Sequence, residues 1–95
     1  MLVNVAVPVY VPNAFTPNGD GLNDTFKPII TKPDLISQYH LSIYNRWGQC
    51  FFETNDPARG WDGKDELPGV HNWVVSYMDG MGKVNQIRGV VTLIK

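Results

Sequence analysis

Oxygen-bearing side chains and glycines are concentrated in one short stretch, residues 14–24, which reads AFTPNGDGLND. Gly19 and Gly21 adopt positive φ at little cost, so this stretch should turn tightly instead of forming a helix or a regular strand. Three of its side chains could offer oxygen ligands to calcium: Asn18, Asp20 and Asp24. The stretch therefore predicts either an ion site or a recognition tip.

The two interpretations of this loop differ in how many carboxylates they need. A calcium loop of the DxDxDG type places oxygens at alternate positions before a glycine. Aligning Gly21 with that glycine leaves Lys27 where an acidic bidentate ligand would belong, and only Asp20 and Asp24 contribute carboxylates. The alternative is a series of Asx turns, in which side-chain oxygens accept hydrogen bonds from backbone N–H groups. We expect the turns, and keep calcium as the alternative.

The remaining polar residues form no catalytic or zinc-binding pattern. His40 and His71 fall on different predicted strands, and Cys50 falls in an apolar strand, where we expect a small buried hydrophobe. No serine lies in a G-x-S-x-G elbow. Four acids share one loop, which we interpret as solvated and not as a glycosidase pair: Asp56, Asp62, Asp65 and Glu66. We therefore predict a domain that is not an enzyme.

Three tryptophans could form either a flat platform for sugars or part of the core. Trp47 and Trp73 share the phase of apolar neighbours on predicted strands, and Trp61 lies in a Gly-Trp-Asp-Gly loop. We predict that all three are core residues.

The bulk properties exclude several classes of partner. Ninety-five residues make one domain, and the net charge of −1 comes with no basic stripe for nucleic acid. The single cysteine allows no intrachain disulfide, and no apolar run approaches the roughly 20 residues of a membrane helix. Met1 runs directly into a strand-like segment, so we expect a domain taken from a larger protein.

Period-two alternation of apolar residues predicts an all-β domain. Residues 1–9 are expected to be an edge strand or a linker, residues 55–69 a loop, and Pro33 and Asp34 part of one helical turn at most. The predicted strands are 3–11, 25–30, 39–47, 49–54, 70–78 and 83–95, the last bent or bulged at Gly89. This spacing favours an immunoglobulin-like antiparallel β-sandwich of about seven strands.

Several segments resemble one family in order along the chain. Residues 15–26, FTPNGDGLNDTF, are similar to the opening motif of the gliding motility-associated C-terminal domain, the type B sorting domain of type IX secretion substrates. LSIYNRWGQ at 41–49, WDG at 61–63 and GVVTLIK at 89–95 resemble its later motifs. Cys50 and the run at 70–73 depart from the family pattern.

The resemblance implies a recognition role and no reaction. Such domains direct large surface or secreted proteins across the outer membrane, through the type IX translocon and a dedicated outer-membrane partner protein. We expect protein–protein docking without a small-molecule substrate, in part by strand addition at the edge of the terminal strand. The candidate contact residues form a recognition loop and a hairpin tip: Asn18, Gly19, Asp20, Gly21, Asn23 and Asp24, then Arg46, Trp47, Gly48 and Gln49. A carbohydrate-binding module and a calcium-stabilised spacer are the alternatives.

Overall fold

The computed structural model describes residues 9–17, 19, 24–31, 33–64 and 66–95. Within them the chain forms seven strands and one 3-10 turn, Pro33–Leu35, which confirms the all-β prediction, its strand number and the single helical turn. The strands are β1 Val9–Tyr10, β2 Ala14–Phe15, β3 Ile29–Ile30, β4 Ile36–Tyr44, β5 Cys50–Thr54, β6 Gly69–Asp79 and β7 Val84–Leu93. No helix in this part of the chain has the length and apolar character needed to cross a membrane.

The strands make two sheets in a sandwich-like arrangement. One sheet has the order β2-β7-β6-β4-β5, and the other pairs β1 with β3. All pairs are antiparallel except β2 with β7, which run parallel with Ala14 opposite Thr92 and Phe15 opposite Leu93. This parallel pair is the exception within the antiparallel sandwich that the sequence predicts, because a two-residue strand is too short to show a period-two pattern.

One face of the larger sheet carries the core. Alternate residues of β4 and β6 point inward as predicted, and β7 adds Val91 and Leu93. The members from β4 and β6 are Tyr39, Leu41, Ile43, Trp73, Val75 and Tyr77. Phe15, Phe26 and Trp61 pack against this face from outside the central strands, so the core joins the sheet to the loops that cover it.

Some predicted strands are shifted or shorter in the structure. The strand predicted over 39–47 spans Ile36–Tyr44, because a turn begins at Asn45. Of the strand predicted over 25–30, only Ile29–Ile30 is regular, with an isolated bridge from Phe26 to Trp61. Most of the strand predicted over 3–11 lies outside the described residues.

The bulge predicted at Gly89 was wrong. Strands β6 and β7 pair in unbroken register from Gly69–Leu93 to Met78–Val84. Gly89 serves packing instead, because a Cβ atom there would lie 2.7 Å from Cζ2 of Trp73. The register shifts occur in β4, between Ser37 and His40 against β6 and between Ile43 and Tyr44 against β5.

Asp79 organises the turn between β6 and β7. Its Oδ1 accepts hydrogen bonds from the backbone N–H of Lys83 at 3.0 Å and of Met81 at 2.9 Å, and its Oδ2 accepts one from the Asn85 amide at 3.1 Å. These bonds favour the ionised carboxylate, the bonds from Lys83 and Asn85 most, and so lower the pKa of Asp79 below its ordinary value.

We expect this carboxylate to make stability depend on acid pH. A lowered folded-state pKa gives stabilisation that is present above the unfolded carboxyl pKa of about 3.9 and is lost as the pH falls through the folded value. Asp79→Asn should therefore melt below the wild type at neutral pH, and the two melting temperatures should converge in acid. Melting curves taken between pH 7 and pH 2 measure this, and a difference independent of pH would contradict it.

Candidate recognition surface

Two buried phenylalanines hold the ends of the recognition loop in the core. Phe15 is 2% exposed, Phe26 is fully buried, and their ring centroids lie 6.1 Å apart. Between them, the Gly19 N–H donates to Oδ1 of Asp24 at 2.9 Å, a side-chain-to-backbone bond that spans five residues of the loop. The other predicted members of this loop lie outside the described residues: Asn18, Asp20, Gly21 and Asn23.

The Trp61-Asp62-Gly63 motif closes the core beneath this loop. Trp61 and Phe26 exchange two backbone hydrogen bonds of 2.8 and 2.9 Å, and the indole centroid lies 5.2 Å from that of Phe15. Gly63 adopts φ of 75°, and a Cβ atom there would lie 2.8 Å from Cδ1 of Leu93. The core predictions for Trp61 and Trp73 are confirmed by their exposures of 3% and 7%.

The hairpin tip between β4 and β5 is fixed by Asn45. Its side-chain Oδ1 accepts from the N–H groups of Trp47 at 2.9 Å and Gln49 at 3.0 Å, and its Nδ2 donates to Gln49 Oε1 at 3.0 Å. Two backbone bonds, Asn45 N to Gln49 O and Gly48 N to Asn45 O, complete the turn. Gly48 adopts φ of 79°, a conformation that glycine adopts without strain. The four predicted tip residues are therefore exposed together on an ordered turn.

Trp47 projects into solvent, and its predicted place in the core was wrong. Its side chain is 73% exposed, because the alternation of β4 stops at Tyr44 and does not continue through the turn. The Arg46 guanidinium carbon lies 5.3 Å from the indole centroid, within the range of a cation–π contact.

Further exposed apolar side chains stand beside Trp47. Leu67 is 69% exposed and Val70 is 58% exposed, and both line a cavity of about 40 Å³ together with Trp47. We call Trp47, Leu67 and Val70 the tip patch. Arg46 and Glu66 line the same cavity, so charged groups of both signs border an apolar centre. Protein interfaces commonly combine an apolar centre with a polar rim in this way.

A buried histidine supports the loop that carries Leu67. His71 is 5% exposed, its Nε2 lies 3.5 Å from Glu66 Oε1, and its ring meets those of Trp61 and Phe51 edge-on. The loop at 66–68 is thus connected directly to the core aromatic cluster, and the tip patch has an ordered base.

Cys50 is exposed, so its predicted role as a small buried hydrophobe was wrong. The register shift between Ile43 and Tyr44 places it opposite Tyr44, beyond the inward-facing part of β5. Local desolvation, together with the Glu53 carboxylate 3.6 Å from Sγ, raises the pKa of the Cys50 thiol. In the described residues, no group of three or more His, Cys, Asp or Glu side chains is placed to hold a metal ion.

The acids predicted to form a solvated loop mainly support turns. Asp56 Oδ1 accepts from the Ala58 N–H at 2.9 Å, and Asp62 Oδ1 accepts from the Lys64 N–H at 3.0 Å. Both side chains are exposed, and Asp65 lies outside the described residues. The carboxylates of Asp56 and Asp62 therefore stabilise turns through these bonds.

One family model matches almost the whole chain. The model of the CHU_C type IX secretion signal domain matches residues 9–93, a span that contains the recognition loop, the hairpin tip, the Trp61 motif and all seven strands. A comparison with the curated proteins found no match. A signal of this kind has a sorting role in type IX secretion, and it implies a secreted or cell-surface protein that is exported across the outer membrane. Because the match covers almost the whole sequence, the chain belongs to the CHU_C type IX secretion signal domain family.

Proposed function

We propose that this domain, without catalysing a reaction, directs a large surface or secreted parent protein through type IX secretion by docking onto an outer-membrane component of the machinery. The observation that carries the proposal is the tip patch, where Trp47 is 73% exposed on a turn held by Asn45. Tryptophan and arginine are enriched among residues that dominate binding energy, and Arg46 stands beside Trp47. Because the turn is already ordered, binding loses little conformational entropy there.

The recognition loop is a second proposed contact. Its two ends are held in the core by Phe15 and Phe26, so a partner can contact the loop without unfolding the domain. Gly19 is exposed and its N–H is bonded to Asp24.

Removing the domain from its parent tests the proposal. We expect the truncated parent to accumulate inside the cell envelope, because the docking surface is lost with the domain. Restoring the 95 residues in the same position should restore export. Export of the truncated parent at the wild-type level would contradict a sorting role.

The calcium-stabilised spacer makes a separate prediction. Since Asp24 Oδ1 accepts from a backbone N–H, we expect the loop to hold its shape by hydrogen bonding without an ion. The melting temperature should then be equal in calcium and in chelator. An ion bound only by the native state must raise it, so a clear rise with calcium concentration would establish the ion and contradict our interpretation.

The carbohydrate-binding alternative required a coplanar pair of exposed aromatic rings. Among the described residues, Trp61 contacts other aromatic rings and so does Trp73, which pairs with Phe26. No ring pair in this part of the chain includes Trp47. The exposed indole lies beside aliphatic side chains and the Arg46 guanidinium, an arrangement that favours a protein partner over a sugar.

A further inference from the structure

Strand β7 is paired along its whole length on one side only. It joins β6 from Val84–Met78 to Leu93–Gly69, whereas β2 on the other side reaches only Thr92 and Leu93. No strand in the described part of the chain pairs with residues 84–91 on the side away from β6. We call residues 84–91 the open β7 edge.

The hydrogen bonds at the end of β7 show which backbone groups face outward. The Thr92 N–H donates to Asn13 O at 2.9 Å and the Ile94 N–H donates to Phe15 O at 3.1 Å, both away from β6. Backbone direction alternates along a strand, so the even-numbered residues present their N–H and C=O groups to the open side. On the open β7 edge these residues are Val84, Gln86, Arg88 and Val90.

This edge lacks the features that usually prevent pairing with another chain. Residues 84–91 contain neither proline nor lysine, and their register with β6 has no bulge. Val84 and Val90 are 64% and 50% exposed, and Arg88 is the single charge in the stretch. An edge of this length and composition is a template for an added strand.

A cavity lies beside Gly89, next to the exposed side chains of Arg88 and Val90. It has a volume of about 350 Å³, and Trp73, Gly89 and Val90 are among its lining residues. The cavity leaves room on the exposed face of the sheet for side chains of a strand added beside Val90.

We propose that the open β7 edge accepts an extended segment of the outer-membrane component, which adds a strand to the sheet. The occupant is a polypeptide because its main chain offers donors and acceptors at the two-residue repeat of the edge. Pairing extends at most from Val84 to Val91, because β2 occupies the next positions. This inference rests on the proposed sorting function and names the partner's docking element.

Proline at an outward-facing position tests the inference. Arg88→Pro removes one edge N–H that faces away from β6, and edge strands tolerate such a proline. Arg88→Ala is the matched control, because it removes the same charge but keeps the N–H. With the domain fused to a reporter in a type IX-competent cell, we expect Arg88→Pro to lower export about tenfold or more, since both a bond and the strand register are lost. Arg88→Ala should lose far less export than Arg88→Pro, and both purified variants should melt near the wild type.

The other outcomes distinguish failure of the edge inference from failure of the sorting function. If the wild-type fusion and Arg88→Pro are both exported, the edge inference is wrong and the sorting function stands. If the wild-type fusion stays in the cell, both are wrong. Should Arg88→Pro unfold, Gln86→Pro replaces it, and unfolding of both would show that the edge is already paired within the domain. If proline abolishes only dimerisation in sedimentation experiments, the occupant is a second copy of this chain and the inference is overturned.

Discussion

Phe26→Ala is expected to lower the free energy of unfolding by about 3–5 kcal/mol. The Phe26 side chain is fully buried, and its ring lies 6.1 Å from that of Phe15 and 6.5 Å from that of Trp73. Alanine would leave a cavity beside two aromatic rings that the paired backbones of Phe26 and Trp61 prevent from closing. Because small domains are stable by only about 5–15 kcal/mol, this change would remove much of the total.

Urea denaturation of the purified domain measures this loss. Tyr10→Ala is the matched control, since Tyr10 is also aromatic but 63% exposed, and it should cost about 1 kcal/mol or less. If both substitutions cost the same, Phe26 would not hold the recognition loop in the core.

Trp47→Ala is expected to reduce docking affinity about 30-fold or more while leaving stability nearly unchanged. Truncating a tryptophan at the centre of an interface costs at least about 2 kcal/mol, which corresponds to that factor. The turn should survive, because Asn45 bonds to the backbone N–H groups of residues 47 and 49 and not to the indole. Export of a reporter fusion at limiting expression, together with the melting temperature, measures the two effects separately.

Met81→Ala provides the matched control for Trp47→Ala. Met81 is 93% exposed in the β6–β7 turn, at the end of the sheet where Ile36 pairs with Asp79. The hairpin tip lies at the opposite end, where Tyr44 pairs with Asn72. We expect Met81→Ala to be exported normally. Equal losses for both variants would show that export depends on general surface hydrophobicity and not on the tip patch.

The elements predicted best from the sequence are those with long alternation. In β4 and β6, the inward residues Leu41, Ile43, Trp73 and Val75 follow period two across a sheet with one buried face. Phe15 and Phe26, two large apolar residues on either side of the Gly-rich turn, are buried as well. Local pattern is informative wherever a strand is long enough to repeat it.

Other features depend on contacts between distant residues and were missed for that reason. Trp47 continues the odd-numbered phase of β4 in the sequence, but Asn45 ends the strand before it. The exposure of Cys50 follows from a register shift against β4, and the role of Gly89 follows from the Trp73 ring on the neighbouring strand. The β2–β7 pair joins segments almost eighty residues apart and leaves most of β7 open, which no local pattern reveals.

The most direct measurement of the central claim is export of an unrelated periplasmic reporter carrying these 95 residues in a type IX-competent cell. We predict that the fusion appears at the cell surface or in the medium, that the reporter alone stays in the periplasm, and that a strain lacking the translocon retains both. Equal retention of the reporter with and without the domain in the competent strain, with the fusion shown to be folded, would contradict a sorting function.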